Sequence, residues 1–407
     1  MSLSNYPPLS QAQRYLFIAE KASEKGSELQ IDALKQALRV TYENNMPYYY
    51  SKALTILNNL YGDSSEVPVM TPEKLKEWED QIRSKADRIE VAISHAKNAG
   101  LKDSMRMSIN EQGDLWYSAG DPSQALRTYL RAKELPFSKE QQFELSFKLA
   151  KSALFQGNLA YALNSSQRAV GLAVTSELQR SYANLLLGIC LMLSNKPNEA
   201  GRAFSKLSEV MKGQPNDFVT DEDIVIYLGI CALASFERKE IREEVLRNKH
   251  LRSFMEEQPT VNELLESYLS NRYDELVYGL NELKPRLAKD IYIGPVLEDM
   301  YSAIHNRCVI QFLKPFKRVK IETLGKAFCC NSVEMERRVA KLIMDGKVQA
   351  KIDSHNKVVE ATYSDETTLA YRRALSMGTN YLRNTETALL RMSMIQQKLV
   401  LKEPRNN

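Results

Sequence analysis

The sequence has few of the residues that usually build metal sites, disulfides or hydrolase active sites. Its 407 residues include only five cysteines and four histidines. The cysteines form no CxxC pair, and the histidines form no HxxxH, HExxH or HxH spacing that could hold a metal ion. The phosphate-binding patterns GxxxxGK[ST] and GxGxxG are missing, as is the GxSxG of serine hydrolases. These absences argue against catalysis and lead us to expect no cofactor and no metal.

Long apolar runs and a strong charge imbalance are also missing. The longest apolar run, residues 224–234, is about half of the roughly 20 residues that a membrane span needs. The 55 basic residues nearly balance the 51 acidic ones, and the net charge of +4 is too small to indicate a polyanionic partner. Charged residues interrupt the first thirty positions, so we expect no signal peptide there. The cysteines lie in or beside apolar segments, which favours buried free thiols in a reducing compartment.

Residues 105–207 repeat a pattern of small and large side chains with a period of 37 to 38 residues. The first unit consists of Gly113, Trp116, Gly120, Ala125, Tyr129 and Ala132. The same offsets give Ala150, Ala153, Gly157, Ala162, Ser166 and Ala169, and then Gly188, Leu191, Asn195, Ala200, Phe204 and Leu207. The offsets resemble the tetratricopeptide pattern, in which small residues let two antiparallel helices approach and a large one fills the gap. They predict a right-handed solenoid of helix pairs.

Amphipathic helical patterns lie on both sides of the repeats. Residues 31–60 carry helical apolar spacing, a polar loop covers 62–72, and Thr71-Pro72 has the composition of a helix start. The charged helix that follows would suit a bridge between domains. Thr220 is a predicted N-cap with Asp223 three residues later. Further helices are predicted at residues 245–255, 261–268, 273–287 and 296–312.

Residues 319–361 have the pattern of a winged helix. A short helix over 322–328 is followed by Asn331, a predicted N-cap with Glu334 placed for a capping box. After that second helix, Val348, Ala350 and Ile352 alternate with polar residues, as in a half-buried strand. A turn at 354–356 leads to a second strand with Val358 and Val359. We predict that these five apolar residues form a wing edge that binds a partner.

A winged helix can bind DNA or proteins, and the charge pattern favours proteins. Reading DNA requires an excess of lysine and arginine, because phosphate neutralisation supplies most of the affinity. Between residues 331 and 345, three acidic residues balance three basic ones. A basic run precedes the module and is interpreted as a solvated face. It consists of Lys314, Lys317, Arg318 and Lys320.

The chain closes with a predicted long helix that starts near Ser364. Its apolar residues follow a spacing close to 3.5, the period of a coiled-coil seam. The seam residues predicted to bind partners are Leu375, Leu382, Leu389, Met392, Ile395 and Leu399. Two interpretations stay open: the helix folds back on the solenoid, or it joins a bundle with helices of other chains, which we favour.

A helical solenoid fused to a winged helix resembles the PCI-domain family, which is shared by the proteasome lid, the COP9 signalosome and a translation initiation factor. Residues 226–238 and 304–312 are similar to PCI subunits of the COP9 signalosome, as is the wing turn Asp353-Ser354-His355. So are residues 375–378 and 401–404. The related proteasome-lid subunit has a similar wing without the Ser-His turn. The resemblance is weakest before about residue 100.

The resemblance implies a mainly α chain in five parts. They are an N-terminal helical region (1–104), TPR-like repeats (105–219), the helical part of a PCI domain (220–312), its winged helix (313–362), and a C-terminal bundle helix with its tail (363–407). Winged helices of this family associate through wing strands, and their C-terminal helices form a bundle.

The implied function is a non-catalytic scaffold subunit of the COP9 signalosome, which removes a ubiquitin-like modifier from the cullins of ubiquitin ligases. The metalloprotease motif of that complex is missing here, so its chemistry would belong to another subunit. The expected partners are the other PCI subunits, the metalloprotease subunit and cullin-based ligases, in the nucleus and the cytoplasm, with no membrane. The alternatives are a structural subunit of the proteasome lid and, from another class, a nucleic-acid-binding winged helix.

Overall fold

A computed structural model describes residues 5–21, 28–61, 72–135, 138–173, 176–214, 216–362 and 366–399. The predicted loop at 62–71, the start of the last helix at Ser364 and the segment 401–404 lie outside these residues. The chain divides into two compact units, Met1–Gln311 with Ala327–Cys329, and Phe312–Lys326 with Cys330–Asn407. This single division falls close to the predicted boundary at residue 312, and the finer five-part division stays a prediction.

The first unit begins with three helices around a common core. These helices are α1 (Pro8–Lys21), α2 (Glu28–Glu43) and α3 (Pro47–Tyr61). The continuous helical pattern predicted over 31–60 is wrong at residues 44–46, where Asn45 is left-handed with φ 52° and Pro47 starts a new helix. Proline suits a first helical turn because that turn has no partner for its N–H.

The next helix, α4 (Pro72–Asn98), packs along α5 (Lys102–Ser118). Ala86 and Ile93 on α4 are buried. The helix therefore belongs to the helical stack, and its interpretation as a bridge between domains is wrong.

The predicted repeats form three helix pairs. With α5 they are α6 (Pro122–Ala132), α7 (Lys139–Gln156), α8 (Leu159–Leu172), α9 (Glu177–Leu193) and α10 (Pro197–Phe204). Gly120, Gly157 and Asn195 lie at the turns with φ of 83°, 86° and 56°, as predicted. A Cβ added at Gly113 would lie 2.3 Å from the Tyr129 ring, so the small residue does allow the close approach of the two helices.

Further helical segments follow in the first unit. They are α11 (Asp221–Ser235), α12 (Arg238–Glu240), a π-helical turn (Ile241–Leu246), α13 (Lys249–Met255), α14 (Pro259–Leu269), α15 (Tyr273–Leu287) and α16 (Leu297–Leu313). The single helix predicted over 245–255 is wrong, because Asn248 interrupts it and caps α13 by accepting from the His250 N–H. The capping box at Thr220 and Asp223 is confirmed.

The second unit contains a winged helix and a long helix. Its elements are β1 (Arg318–Lys320), α17 (Ile321–Ala327), α18 (Ser332–Met344), β2 (Ala350–Asp353), β3 (Val358–Ala361) and α19 (Glu366–Gln396). The sheet is antiparallel with the order β1-β3-β2. The predicted architecture of TPR-like helix pairs, a winged helix and a long terminal helix is thereby confirmed.

Candidate functional site

The terminal helix α19 exposes its whole apolar seam. Every side chain described on it is exposed except Met394, which is half-buried. The predicted seam residues have exposed fractions from 53% for Leu375 to 68% for Met392. The prediction is wrong in placing Leu399 on the helix, because α19 ends at Gln396 and Lys398 is left-handed with φ 59°. Exposed apolar surface of this extent on a soluble helix is typical of a surface that another helix covers. Within the described part of the second unit, no residue covers the seam.

The wing differs from its prediction in the strand that forms its edge. Val348 lies in a bend before β2, so the strand starts two residues later than predicted. Val358 and Val359 lie on β3, the central strand, which pairs with β1 on one side and β2 on the other. Their backbone groups therefore cannot form a free edge. The prediction of an edge at these two residues is wrong because it missed β1.

The free edge of β2 is formed by backbone groups. The Thr362 N–H donates to the Gln349 carbonyl at 3.0 Å. This bond identifies Gln349 and Thr362 as a hydrogen-bonded pair and so sets the pattern of paired residues between β2 and β3. Because such pairs alternate along antiparallel strands, the N–H and C=O groups of Ala350 and Ile352 point away from β3. They offer one short ladder to another strand.

The apolar side chains of the wing mostly face its interior. Ala350 and Val359 are buried, while Val348, Ile352 and Val358 are half-buried. The wing therefore exposes a strand edge, and its side chains contribute little exposed apolar area.

The sequence interpretation missed β1 because its residues were treated as a basic, solvated face. Arg318 and Lys320 are exposed and Val319 is buried, which is the alternation of an edge strand. The signal was present but only three residues long. The strand is held by β3, since the Ala361 N–H donates to the Lys317 carbonyl at 2.8 Å.

The turn of the wing is fixed to helix α18. Glu336 accepts hydrogen bonds from the Lys357 ammonium and the Ser354 hydroxyl, both at 2.8 Å. The bond from Lys357, followed by that from Ser354, lowers the pKa of Glu336 below its ordinary value. Asp353 accepts from the N–H groups of His355 and Asn356, as in an Asx turn. The Asp-Ser-His segment is thus a rigid turn.

One basic side chain of helix α18 is held in an ion pair. Asn331 occupies the N-cap position without a side-chain bond, and Glu334 pairs with Arg338 at 2.7 Å. The predicted capping box is therefore wrong, because the carboxylate reaches forward by one turn to a cation. That ion pair also uses one of the two arginines that a DNA contact would need.

Three of the thiols are buried, and the described side chains include no cluster of metal ligands. Among the described residues, no group of three or more His, Cys, Asp or Glu side chains could hold a metal ion. Cys190, Cys231 and Cys308 are buried, and burial raises the pKa of each thiol to about 12. Cys329 is exposed in the turn after α17, where its φ is 50°, and Cys330 is half-buried, so the expectation of buried thiols is wrong for these two. Within the same described part of the chain, no helix is both long and apolar enough to cross a bilayer.

Comparisons with known proteins agree with this architecture. The family model of the 26S proteasome subunit RPN7 matches residues 71–244, and the PCI domain model matches residues 280–362. The chain is 26% identical to COP9 signalosome complex subunit 1 of Arabidopsis thaliana over 97% of its own length and 88% of the relative. Subunit 1b of the Drosophila melanogaster complex is 26% identical over 80% of this chain and 64% of the relative.

The similarity extends to the proteasome. The 26S proteasome non-ATPase regulatory subunit 6 of Caenorhabditis elegans is 22% identical over 92% of this chain and 91% of the relative. The helix pairs and the winged helix account for both family matches. Residues 280–362 therefore match a PCI domain, and the chain is similar to COP9 signalosome subunit 1 over nearly its whole length.

Proposed function

We propose that this chain is a non-catalytic scaffold subunit of a COP9 signalosome. Within that complex it would support the removal of a ubiquitin-like modifier from cullins, a reaction catalysed by a separate metalloprotease subunit. The observation that carries the proposal is the uncovered seam of α19, together with whole-length similarity to subunit 1 of that complex. We also propose that the protein is present in the nucleus and the cytoplasm, where cullin ligases would be the substrates of the complex.

The seam is proposed to join a bundle with helices of the other subunits, including the metalloprotease subunit. Full burial of a leucine side chain contributes about 1.5–3 kcal/mol. Leu382 and Leu389 are 62% and 63% exposed in the free chain. Burying the pair therefore contributes roughly 2–4 kcal/mol, or about 30- to 1,000-fold in affinity.

The decisive experiment is a double substitution on this seam. Leu382→Asp with Leu389→Asp should release the protein from its complex without altering the unfolding of the free chain. The matched control, Asn380→Asp with Thr387→Asp, places the same two charges seven residues apart on the opposite face of α19. Both variants are tagged, expressed in cells and compared by pull-down and mass spectrometry. Equal incorporation of the seam variant and the control would contradict the bundle role.

The edge of β2 is proposed to pair with a strand of a neighbouring PCI subunit. Ala350→Pro removes one outward N–H and leaves the ladder between β2 and β3 in place, since proline is tolerated on an edge when its N–H would face outward. We expect weaker binding to one neighbour with unchanged thermal unfolding. Unchanged binding to every neighbour would argue that the edge is not used.

The second candidate function is a structural subunit of the proteasome lid, which the similarity to regulatory subunit 6 favours. Native mass spectrometry of complexes purified through this chain separates the two. Cullin deneddylase subunits would support the first function, and proteasomal ATPases and ubiquitin receptors the second. The isolated chain is expected to show no turnover of neddylated cullin.

A nucleic-acid-binding winged helix is the remaining alternative. It would require a salt-sensitive affinity for DNA that is lost when Arg337 and Arg338 are both replaced. We expect no such affinity, because Arg338 is already paired and the charges of α18 balance.

A further inference from the structure

A groove of about 850 Å³ runs between α14 and α15, in the first unit. Its apolar lining comes from Leu264, Tyr278, Gly279 and Leu283. The two helices are close here, because a Cβ added at Gly279 would lie 2.7 Å from a methyl carbon of Leu264. None of the residues that line the groove belongs to the seam of α19 or to β2.

Tyr278 is the most exposed apolar side chain of this groove. Its exposed fraction is 72%, although it stands next to the apolar floor of the groove. An aromatic ring in this position offers a flat face to an aliphatic side chain or to a cation. Aromatic residues of this kind are often the anchors of protein–protein contacts.

The rim of the groove carries an excess of negative charge. Its acidic residues are Glu263, Glu266, Asp274, Glu275 and Glu282, and its basic residues are Arg272 and Arg286. Both arginines are already neutralised, since Arg272 pairs with Glu275 at 2.9 Å and Arg286 pairs with Glu222 at 3.1 Å.

Four carboxylates of the rim form no ion pair with a described residue, and among these Glu266 accepts a hydrogen bond from the Asn262 amide at 3.3 Å. Glu263, Asp274 and Glu282 are exposed and form no ion pair with any residue that the structure describes. They lie on both helices, so the negative charge flanks the apolar floor on two sides. A phosphate-rich ligand would be repelled here, whereas lysine and arginine side chains would be attracted.

We propose that this groove binds a basic amphipathic helix of a partner protein. The apolar face of that helix would cover Leu283 and Tyr278, and its lysines or arginines would face the carboxylates of Glu263, Asp274 and Glu282. The lining residues on α15 extend from Asp274 to Arg286. This is roughly 18 Å at 1.5 Å per residue, the length of about three helical turns. Two adjacent helices form a groove into which a third packs, as elsewhere in a helical stack.

The experiment measures the binding of two designed 14-residue helical peptides to the full-length chain by fluorescence anisotropy. Both peptides carry the same leucine stripe, and one is flanked by arginines and the other by glutamates. We expect the arginine peptide to bind and the glutamate peptide to bind at least tenfold more weakly. Raising the salt concentration should weaken the arginine peptide, since the rim carboxylates are exposed.

Two variants place the binding at the groove. The triple variant Glu263→Gln, Asp274→Asn, Glu282→Gln should weaken the arginine peptide about tenfold, the effect of three exposed charge pairs. Tyr278→Ser should weaken it as well, and this loss should persist at high salt. Circular dichroism checks that each variant keeps its fold.

The control variant removes the same number of exposed carboxylates on another helix. It combines three substitutions on α4 and should leave the affinity for the arginine peptide unchanged. The substitutions are Glu77→Gln, Asp80→Asn and Asp87→Asn. An equal loss in both triple variants would show non-specific attraction and overturn the proposal. It would also be overturned if the two peptides bound equally, or if the arginine peptide did not bind.

Discussion

Replacing Arg14 with methionine is expected to be among the most destabilising single changes in this protein. Arg14 lies on α1, and its side chain is only 3% exposed. Its guanidinium donates to Asp290 at 2.5 Å and to Asp223 at 3.4 Å, residues 276 and 209 positions away in the sequence. The Tyr6 ring lies 4.1 Å from the guanidinium carbon. One cation thus holds α1 against two other parts of the first unit.

The magnitude follows from what the substitution leaves behind. Methionine removes the positive charge, and two carboxylates with exposed fractions of 7% and 9% then lose their cation. Removing one partner of a buried ion pair lowers the free energy of unfolding by about 3–5 kcal/mol, because the charge of the other partner remains buried and uncompensated. Asp290 keeps its bonds from the Tyr227 hydroxyl and from two backbone N–H groups, which limits the loss at that carboxylate.

The same substitution should make stability depend on pH. Burial already raises the pKa of Asp223, and Arg14 is the group that opposes this rise most. Without Arg14 the pKa of Asp223 should rise further. A carboxyl whose pKa is higher in the folded state than in the unfolded state stabilises the fold at a pH below the unfolded-state pKa. That contribution is lost as the pH rises through the folded-state pKa. Arg14→Met should therefore be less destabilised at pH 5 than at pH 8.

Urea denaturation followed by circular dichroism measures the loss, and hydrogen exchange locates it. We expect the backbone amides of α1 to exchange faster in Arg14→Met, since its anchor is gone. Arg39→Met is the control, because its ion pair with Glu43 is exposed and should contribute less than about 1 kcal/mol. If the two variants unfolded alike and α1 kept its protection, the ion pairs of Arg14 would not hold this helix.

Two further predictions concern the helix pairs. Gly113→Val should lower the free energy of unfolding by about 1–3 kcal/mol, because the valine side chain would collide with the Tyr129 ring. The control, Gly378→Val on exposed α19, should change the free energy of unfolding by less than about 0.5 kcal/mol. A similar loss of stability in both variants would mean that the helix propensity of the backbone, and not the packing against Tyr129, causes the loss. The pKa of Glu90 is lowered, chiefly by its hydrogen bond from Arg131, so the pair contributes stability above the ordinary carboxyl pKa that is lost as pH falls. Glu90→Gln should therefore lower the free energy of unfolding by less than about 1 kcal/mol at pH 7, because solvent partly screens the pair, and should not change it measurably at pH 3. An equal loss at both pH values would refute the contribution of the charge.

The repeats could be predicted from the sequence because their signal is local and redundant. Gly113 and Tyr129 sit sixteen residues apart, and Gly188 and Phe204 repeat the same spacing with the same close approach. The exposed seam of α19 was predictable for a related reason, since a heptad spacing specifies a helix face without reference to the rest of the chain.

The features that the sequence did not predict depend on distant or very short segments. The anchor of Arg14 joins residues more than 200 positions apart, and nothing near Arg14 marks its partners. Strand β1 has three residues, two of them charged, so its composition favoured a solvated loop. Missing that strand moved Val358 and Val359 from the centre of the sheet to its edge in the prediction.

The order of the sheet also bears on how the winged helix assembles during synthesis. The last strand in the sequence, β3, lies between the two earlier ones, and these do not pair with each other. Neither outer strand can close a backbone ladder until residue 361 has been made. A nascent or truncated chain ending before Val358 would thus carry two strands with open edges, each available to the wrong neighbour.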